Sequence, residues 1–70
     1  MPFITYEGPA LRSQEKREEL IRELTRVVAQ SVGVAAEDVV ILIKEQGGPH
    51  MTKTAQAVSV GGKFVAERSP

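Results

Sequence analysis

The chain has no cysteine, so disulfides and thiolate metal sites are excluded. It has one histidine, His50, and a single imidazole cannot build a metal cage. It has no excess of charge: nine Lys and Arg balance nine Asp and Glu. A basic patch for nucleic acid and a basic amphipathic face for a membrane surface are both missing. No apolar run approaches the roughly 20 residues of a membrane-spanning helix. No signal-peptide pattern is present either, and the expected location is the cytoplasm. Length is also in short supply. Seventy residues give at most one domain, 1–70, and a domain of this size buries only about 60% of the surface its unfolded chain exposes. Small scaffolds usually add a disulfide, a metal or a partner chain. With the first two gone, oligomerisation is the expected remedy. What remains is a globular composition, 41% hydrophobic and 26% charged.

The first chemistry in the chain is at Met1-Pro2. Removal of the initiator methionine makes Pro2 the terminus and turns its nitrogen from an amide into a secondary amine. An amide nitrogen has no usable basicity, whereas a free prolyl amine can take and return a proton. An apolar pocket or nearby cations disfavour the charged amine and pull its pKa towards neutrality. A general base working near pH 7 needs that property. The plainer alternative is a stiff residue opening an edge strand.

Phe3 to Glu7 is short, aromatic and β-branched, which predicts a strand. Gly8-Pro9 is a turn signal and predicts its end. Ser13 is placed to cap a helix, because its hydroxyl can accept from a backbone N–H of the first turn. From Gln14 to Val32 the pattern is helical. Leu20, Ile21, Leu24, Val27, Val28 and Ser31 form a stripe at the 3.6-residue period. Lys16, Arg17, Glu18, Glu19, Arg22, Glu23 and Arg26 read as the solvated face. Gly33 stands where a left-handed C-cap is wanted.

Ala35 to Asp38 is a short connector. Val39-Val40-Ile41-Leu42-Ile43 is a continuous apolar run, the pattern of a strand buried on both faces. Strand, helix and buried strand make a β-α-β unit with a right-handed crossover and parallel strands. Gln46 to Gln56 carries almost no large apolar side chain and predicts a loop. Val58-Ser59-Val60, Gly61-Gly62 and Lys63-Phe64-Val65-Ala66 predict a β-hairpin. A two-stranded sheet does not stand alone in water, so the hairpin and the sheet are expected to join neighbouring subunits. Glu67 to Pro70 reads as frayed.

These features together resemble the 4-oxalocrotonate tautomerase family, over nearly the whole chain. The resemblance rests on Met-Pro before an apolar strand, Arg12-Ser13 at the strand-helix junction, the Leu20-Ile21 to Val28 stripe, Val39 to Glu45, and Val60-Gly61-Gly62-Lys63. It implies an α/β fold whose sheet is completed by a neighbouring subunit, in a hexamer built as a trimer of dimers. It implies Pro2 as general base, with no cofactor and no metal, acting on a small carboxylate of the enol or dienol type in aromatic catabolism. Arg12 matches the family's first arginine and would hold a substrate carboxylate. The second family arginine falls at Val40, which can neither polarise a carbonyl nor hold a carboxylate. The apolar wall residue before the Gly-Gly turn falls at Val58, or at Met51 if the longer loop is placed differently.

Three functions follow. The first is a tautomerase moving a proton on a 2-hydroxydienoate such as 2-hydroxymuconate. The second is a hydratase- or dehalogenase-like relative, which needs a carboxylate to activate water, and no well-placed one stands out. The third is a non-catalytic or complementary subunit of a mixed hexamer, which the missing arginine favours. Lys44, Lys53 or Lys63 could replace that cation. Tyr6 reads as a packing residue, and Glu45 and His50 as surface residues.

Overall fold

The structure is a computed structural model that describes residues 1–46 and 54–68. Strand β1 spans Phe3–Pro9 and helix α1 spans Gln14–Val32. A single 3₁₀ turn at Ala36–Asp38 leads into β2, Val40–Gln46. β3 and β4 are Thr54–Val60 and Lys63–Arg68.

β1 continues through the Gly8-Pro9 pair that the sequence reads as its end. It lies at the edge of the sheet, where a proline without an N–H is tolerated. Gly8 and Pro9 stay in register with Glu45 and Gln46 of β2. The Tyr6 hydroxyl donates to the Pro9 carbonyl at 3.1 Å. A Cβ on Gly8 would lie 2.8 Å from that hydroxyl, so Tyr6 packs over a residue with no side chain.

The helix starts and stops where its caps dictate. Ser13 is extended, and its hydroxyl accepts from the Lys16 backbone N–H at 3.1 Å. Gly33 adopts the left-handed conformation at φ 80°, and its N–H donates to the Ala29 carbonyl at 2.9 Å. The buried stripe differs from the predicted one. Ile21 and Thr25 are buried, whereas Val27 is 46% exposed.

The sheet order is β1-β2-β3-β4. β1 pairs with β2 in parallel, from Phe3 opposite Val40 to Pro9 opposite Gln46. β3 returns antiparallel along the other side of β2, with Val40 opposite Val60 and Gln46 opposite Thr54. β4 closes the hairpin, with an irregularity at Val58/Ser59. Gly61 and Gly62 both have positive φ, 64° and 87°, the geometry a tight two-residue hairpin turn demands. The Gly61 N–H donates to the Val39 carbonyl at 3.0 Å.

The hairpin expected on a neighbouring subunit thus lies on β2 of its own chain. Its strands are also longer than expected. Thr54, Ala55 and Gln56 are strand, as are Glu67 and Arg68, because the β2 edge supplies backbone partners that small residues can reach without steric obstacle. The centre of the expected loop, with His50, Met51 and Lys53, lies outside the described residues.

β2 is buried on one face only. Val39, Ile41 and Ile43 are under 1% exposed and, with Ile21 and Ala57, form the core beneath the helix. The odd positions of β2 face the helix and the even ones do not. On the uncovered face Phe3, Val40 and Val60 lie in one row, and Thr5, Leu42, Val58 and Ala66 in the next. The third row is polar, and Lys44 Nζ pairs with Glu7 at 3.4 Å. Among the described residues, no element covers this second apolar face of β2.

Candidate functional site

Pro2 stands at the start of β1, half-buried. Its carbonyl accepts from the Val40 N–H at 3.0 Å. Met1 precedes it and is 87% exposed, so the Pro2 nitrogen is an amide until that residue is removed. Position 40 is adjacent to Pro2 through the backbone, while the Val40 side chain belongs to the Phe3 face. Position 40 itself carries no cation, since its side chain is valine.

Arg12 stands at the other end of β1, exposed. It lines a groove of about 540 Å³ with Leu11, Lys16, Glu19, Leu20 and Glu23. Leu11 and Leu20 give the groove apolar lining, and Arg12 adds a positive charge beyond the Lys16–Glu19 pair. Its carboxylates are engaged. Glu19 pairs with Lys16 at 3.8 Å, and Arg26 donates to both oxygens of Glu23. That hydrogen bond, together with the arginine's charge, holds the Glu23 carboxyl below its ordinary pKa. The groove suits an anion with an apolar body.

β1 is seven residues long, so at ~3.3 Å per residue Pro2 and Arg12 lie about 20 Å or more apart. An arginine side chain does not close that gap. Val58 sits in the central row of the open face, opposite Leu42 and Ala66, half-buried. Within one chain the structure does not bring Pro2, Arg12 and Val58 together.

Two residues read as solvated turn inward. Glu45 is 5% exposed, and its side chain forms an ion pair with Arg17, itself only 23% exposed in its side chain. Glu45 Oε2 accepts from the Leu11 backbone N–H at 3.0 Å. The Arg17 Nη1 donates to Gln14 at 2.7 Å and lies 3.7 Å from Glu67. Both positions were signalled in the sequence. Glu45 continues the alternation of Val39, Ile41 and Ile43, and Arg17 stands four residues before Ile21 on the inward stripe. Charge type masked the spacing.

A sequence profile of the tautomerase family, described as "Tautomerase enzyme", matches residues 2–52. The chain belongs to the tautomerase family, in keeping with its resemblance to the 4-oxalocrotonate tautomerases. Two curated proteins, each called a probable tautomerase, come from Bacillus cereus and Bacillus anthracis. Each is 26% identical to this chain over 68 residues, 97% of this chain and 100% of the relative. No solved structure matches the chain significantly. The membership supports an isomerase role of the tautomerase kind. Among the described residues no helix is long and apolar enough to cross a membrane.

Proposed function

We propose that the chain is a cofactor-independent, cytoplasmic tautomerase. It shifts a proton on a 2-hydroxydienoate such as 2-hydroxymuconate, with Pro2 as the general base once Met1 is removed. The amine takes the enol hydroxyl proton. The O–H electron pair becomes the carbonyl π bond, the double bonds shift along the chain, and the far carbon takes the proton back from the amine. Atoms and charge balance with no other reactant. Arg12 anchors a carboxylate through its guanidinium fork, and Val58 contributes apolar wall.

The observation that carries this reading is the placement of Pro2 and Arg12 at opposite ends of one free edge strand. Two β1 strands paired antiparallel about a twofold axis near Tyr6 bring Pro2 of one chain opposite residue 10 of the other. Arg12 of the partner subunit then stands beside it. The dimer so formed has two sites, each built from both chains. The open sheet face, with Phe3 63% exposed among Val40, Leu42, Val58 and Val60, supplies the second contact that a hexamer of three dimers needs. Among the described residues five apolar side chains form the buried core, which is small for a chain that stands alone.

One observation favours a second reading. The valine beside Pro2 leaves a dicarboxylate with one cation fewer, which would suit the complementary subunit of a mixed hexamer. A hydratase or dehalogenase mechanism fits less well, since the buried carboxylate, Glu45, is occupied by Arg17 and Leu11.

The test is purification of this chain alone, intact-mass proof that Met1 is absent, and assay on 2-hydroxymuconate. The processed chain is expected to turn the substrate over. A form extended at the N-terminus, which keeps Pro2 in an amide, is expected to be inert. Equal rates for the two forms would exclude Pro2 as the base. An inert processed chain would favour the mixed hexamer.

A further inference from the structure

Glu45 closes the inward-facing row of β2, and its partners lie 28 and 34 residues away in sequence. One oxygen accepts the Leu11 N–H at 3.0 Å and meets Arg17 Nη2 at 3.4 Å. The other lies against Arg17 Nε. Residues 10–12 belong to neither β1 nor α1. Among the described residues, the Leu11–Glu45 bond is the hydrogen bond that ties this connection to the sheet. The next side chain along is Arg12.

We propose that Glu45 is a positioning residue for Arg12. Its carboxylate fixes the Leu11 N–H, and this fixes the backbone from which the Arg12 guanidinium reaches into the groove. Arg17 has two parts in the arrangement. It orients the carboxylate, and it neutralises a negative charge that would otherwise stand close to an anion-binding groove. A buried carboxylate without such a partner is strongly unfavourable. The side chain of Glu45 is 6% exposed, so it acts through Leu11 and does not touch the substrate. The inference rests on the reading of Arg12 as a carboxylate anchor.

The probe is adipate, a saturated six-carbon dicarboxylate that cannot tautomerise, titrated into the processed oligomer and followed by NMR. Glu45→Ala alone takes from Arg17 its buried counter-ion, leaving Gln14 and the more distant Glu67, and so risks unfolding the chain. The pair Arg17→Met with Glu45→Leu avoids this, because apolar replacement of both partners of a buried ion pair is often neutral or stabilising. That variant is expected to fold, to exchange its Leu11 amide rapidly, and to bind adipate about tenfold more weakly, the scale of one hydrogen bond to a charged group. Arg17→Met with Glu45→Gln keeps an acceptor for Leu11. It is expected to restore the amide protection and bring affinity back to within about threefold of wild type, since a neutral acceptor makes a weaker bond than a charged one.

A folded Arg17→Met/Glu45→Leu protein that binds adipate as wild type does would overturn the proposal. So would a glutamine variant as weak as the leucine one. Adipate binding that Arg12→Ala leaves unchanged, or none at all, would also overturn it. Turnover is read separately. A wild type that binds adipate through Arg12 but does not process 2-hydroxymuconate refutes the catalytic reading of Pro2 and leaves the positioning role of Glu45 supported.

Discussion

The separation of Pro2 from Arg12 makes the assembly itself testable through activity. Consider two defective chains. One carries an N-terminal extension, which keeps the Pro2 nitrogen in an amide and removes the proposed base. The other carries Arg12→Ala, which removes the proposed carboxylate anchor. A hydrogen bond to a charged group contributes about 1.5–3 kcal/mol, so loss of the arginine should lower turnover by roughly ten- to a hundredfold. Each chain assembled alone should be nearly silent. The two are then unfolded, mixed in equal amounts and refolded together, so that subunits combine at random.

If every site takes Pro2 from one chain and Arg12 from its partner, the mixture contains repaired sites. Such a site needs an intact Pro2, with probability about one half, and an intact Arg12, again about one half, so about a quarter of the sites of a symmetric assembly are whole. The mixture should recover about a quarter of wild-type activity, with the wild-type KM, since the repaired sites are chemically unaltered. Sites built within one chain would give a different answer. No chain in the mixture carries both residues, and activity would stay at the mean of the two parents. The spacing of about 20 Å along seven residues of β1 is the ground for expecting recovery. Steady-state assay on 2-hydroxymuconate against the percentage of each chain decides it. A mixture no more active than its parents would refute the shared site, provided sedimentation shows the subunits mixed.

Other outcomes follow from the same geometry. Val40→Arg places a second cation at the Pro2 end of the sheet and should raise the preference for 2-hydroxymuconate over a monocarboxylate dienol by about tenfold; an unchanged ratio of kcat/KM values would mean that position 40 does not reach the substrate. Phe3→Glu puts a charge on the 63% exposed phenylalanine of the open face and should shift sedimentation from hexamer towards dimer, whereas an undisturbed hexamer would show that this face is not an interface. Ser13→Ala removes the cap on the Lys16 N–H and should lower stability by about 1 kcal/mol, read as a fall in Tm of about 4–8 °C. Ser59 is fully buried, and among the described residues its hydroxyl has no partner, so Ser59→Ala should leave stability unchanged or raise it by about 1 kcal/mol.

The secondary elements were legible wherever a local rule acts alone. Ser13 and Gly33 mark the helix ends through hydrogen bonds within four residues, and the Gly61-Gly62 turn needs positive φ at both positions. Neither requires knowledge of distant chain. The destination of the hairpin was less legible. Thr54 to Ala57 has no strong strand pattern of its own, and it becomes a strand because the β2 edge is there to pair with. Seventy residues in sequence do not say whether that edge meets the chain's own hairpin or another copy.

The β2 run shows how a correct signal misleads. Val39 to Ile43 is apolar at every position, and a strand pattern of that kind predicts two covered faces. One of those faces meets the helix. On the opposite face Val40 and Leu42 stay half-exposed. The run predicted burial on both faces, and among the described residues only the helix side is closed.

Glu45 and Arg17 were illegible for the opposite reason. Their spacing places them inward, and their charge argues outward. Each prior is sound taken singly, since buried carboxylates and guanidinium groups are rare unless paired. The pair lies 28 residues apart in sequence, so neither partner announces the other. A single inward charge on an otherwise apolar row should therefore prompt a search for its counter-ion on the inward row of the facing element. Here that search, run along the α1 positions one turn before Ile21, meets Arg17. The same step leads from Glu45 to the Leu11 N–H and from there to Arg12, which ties the least expected burial among the described residues to the residue proposed as the carboxylate anchor.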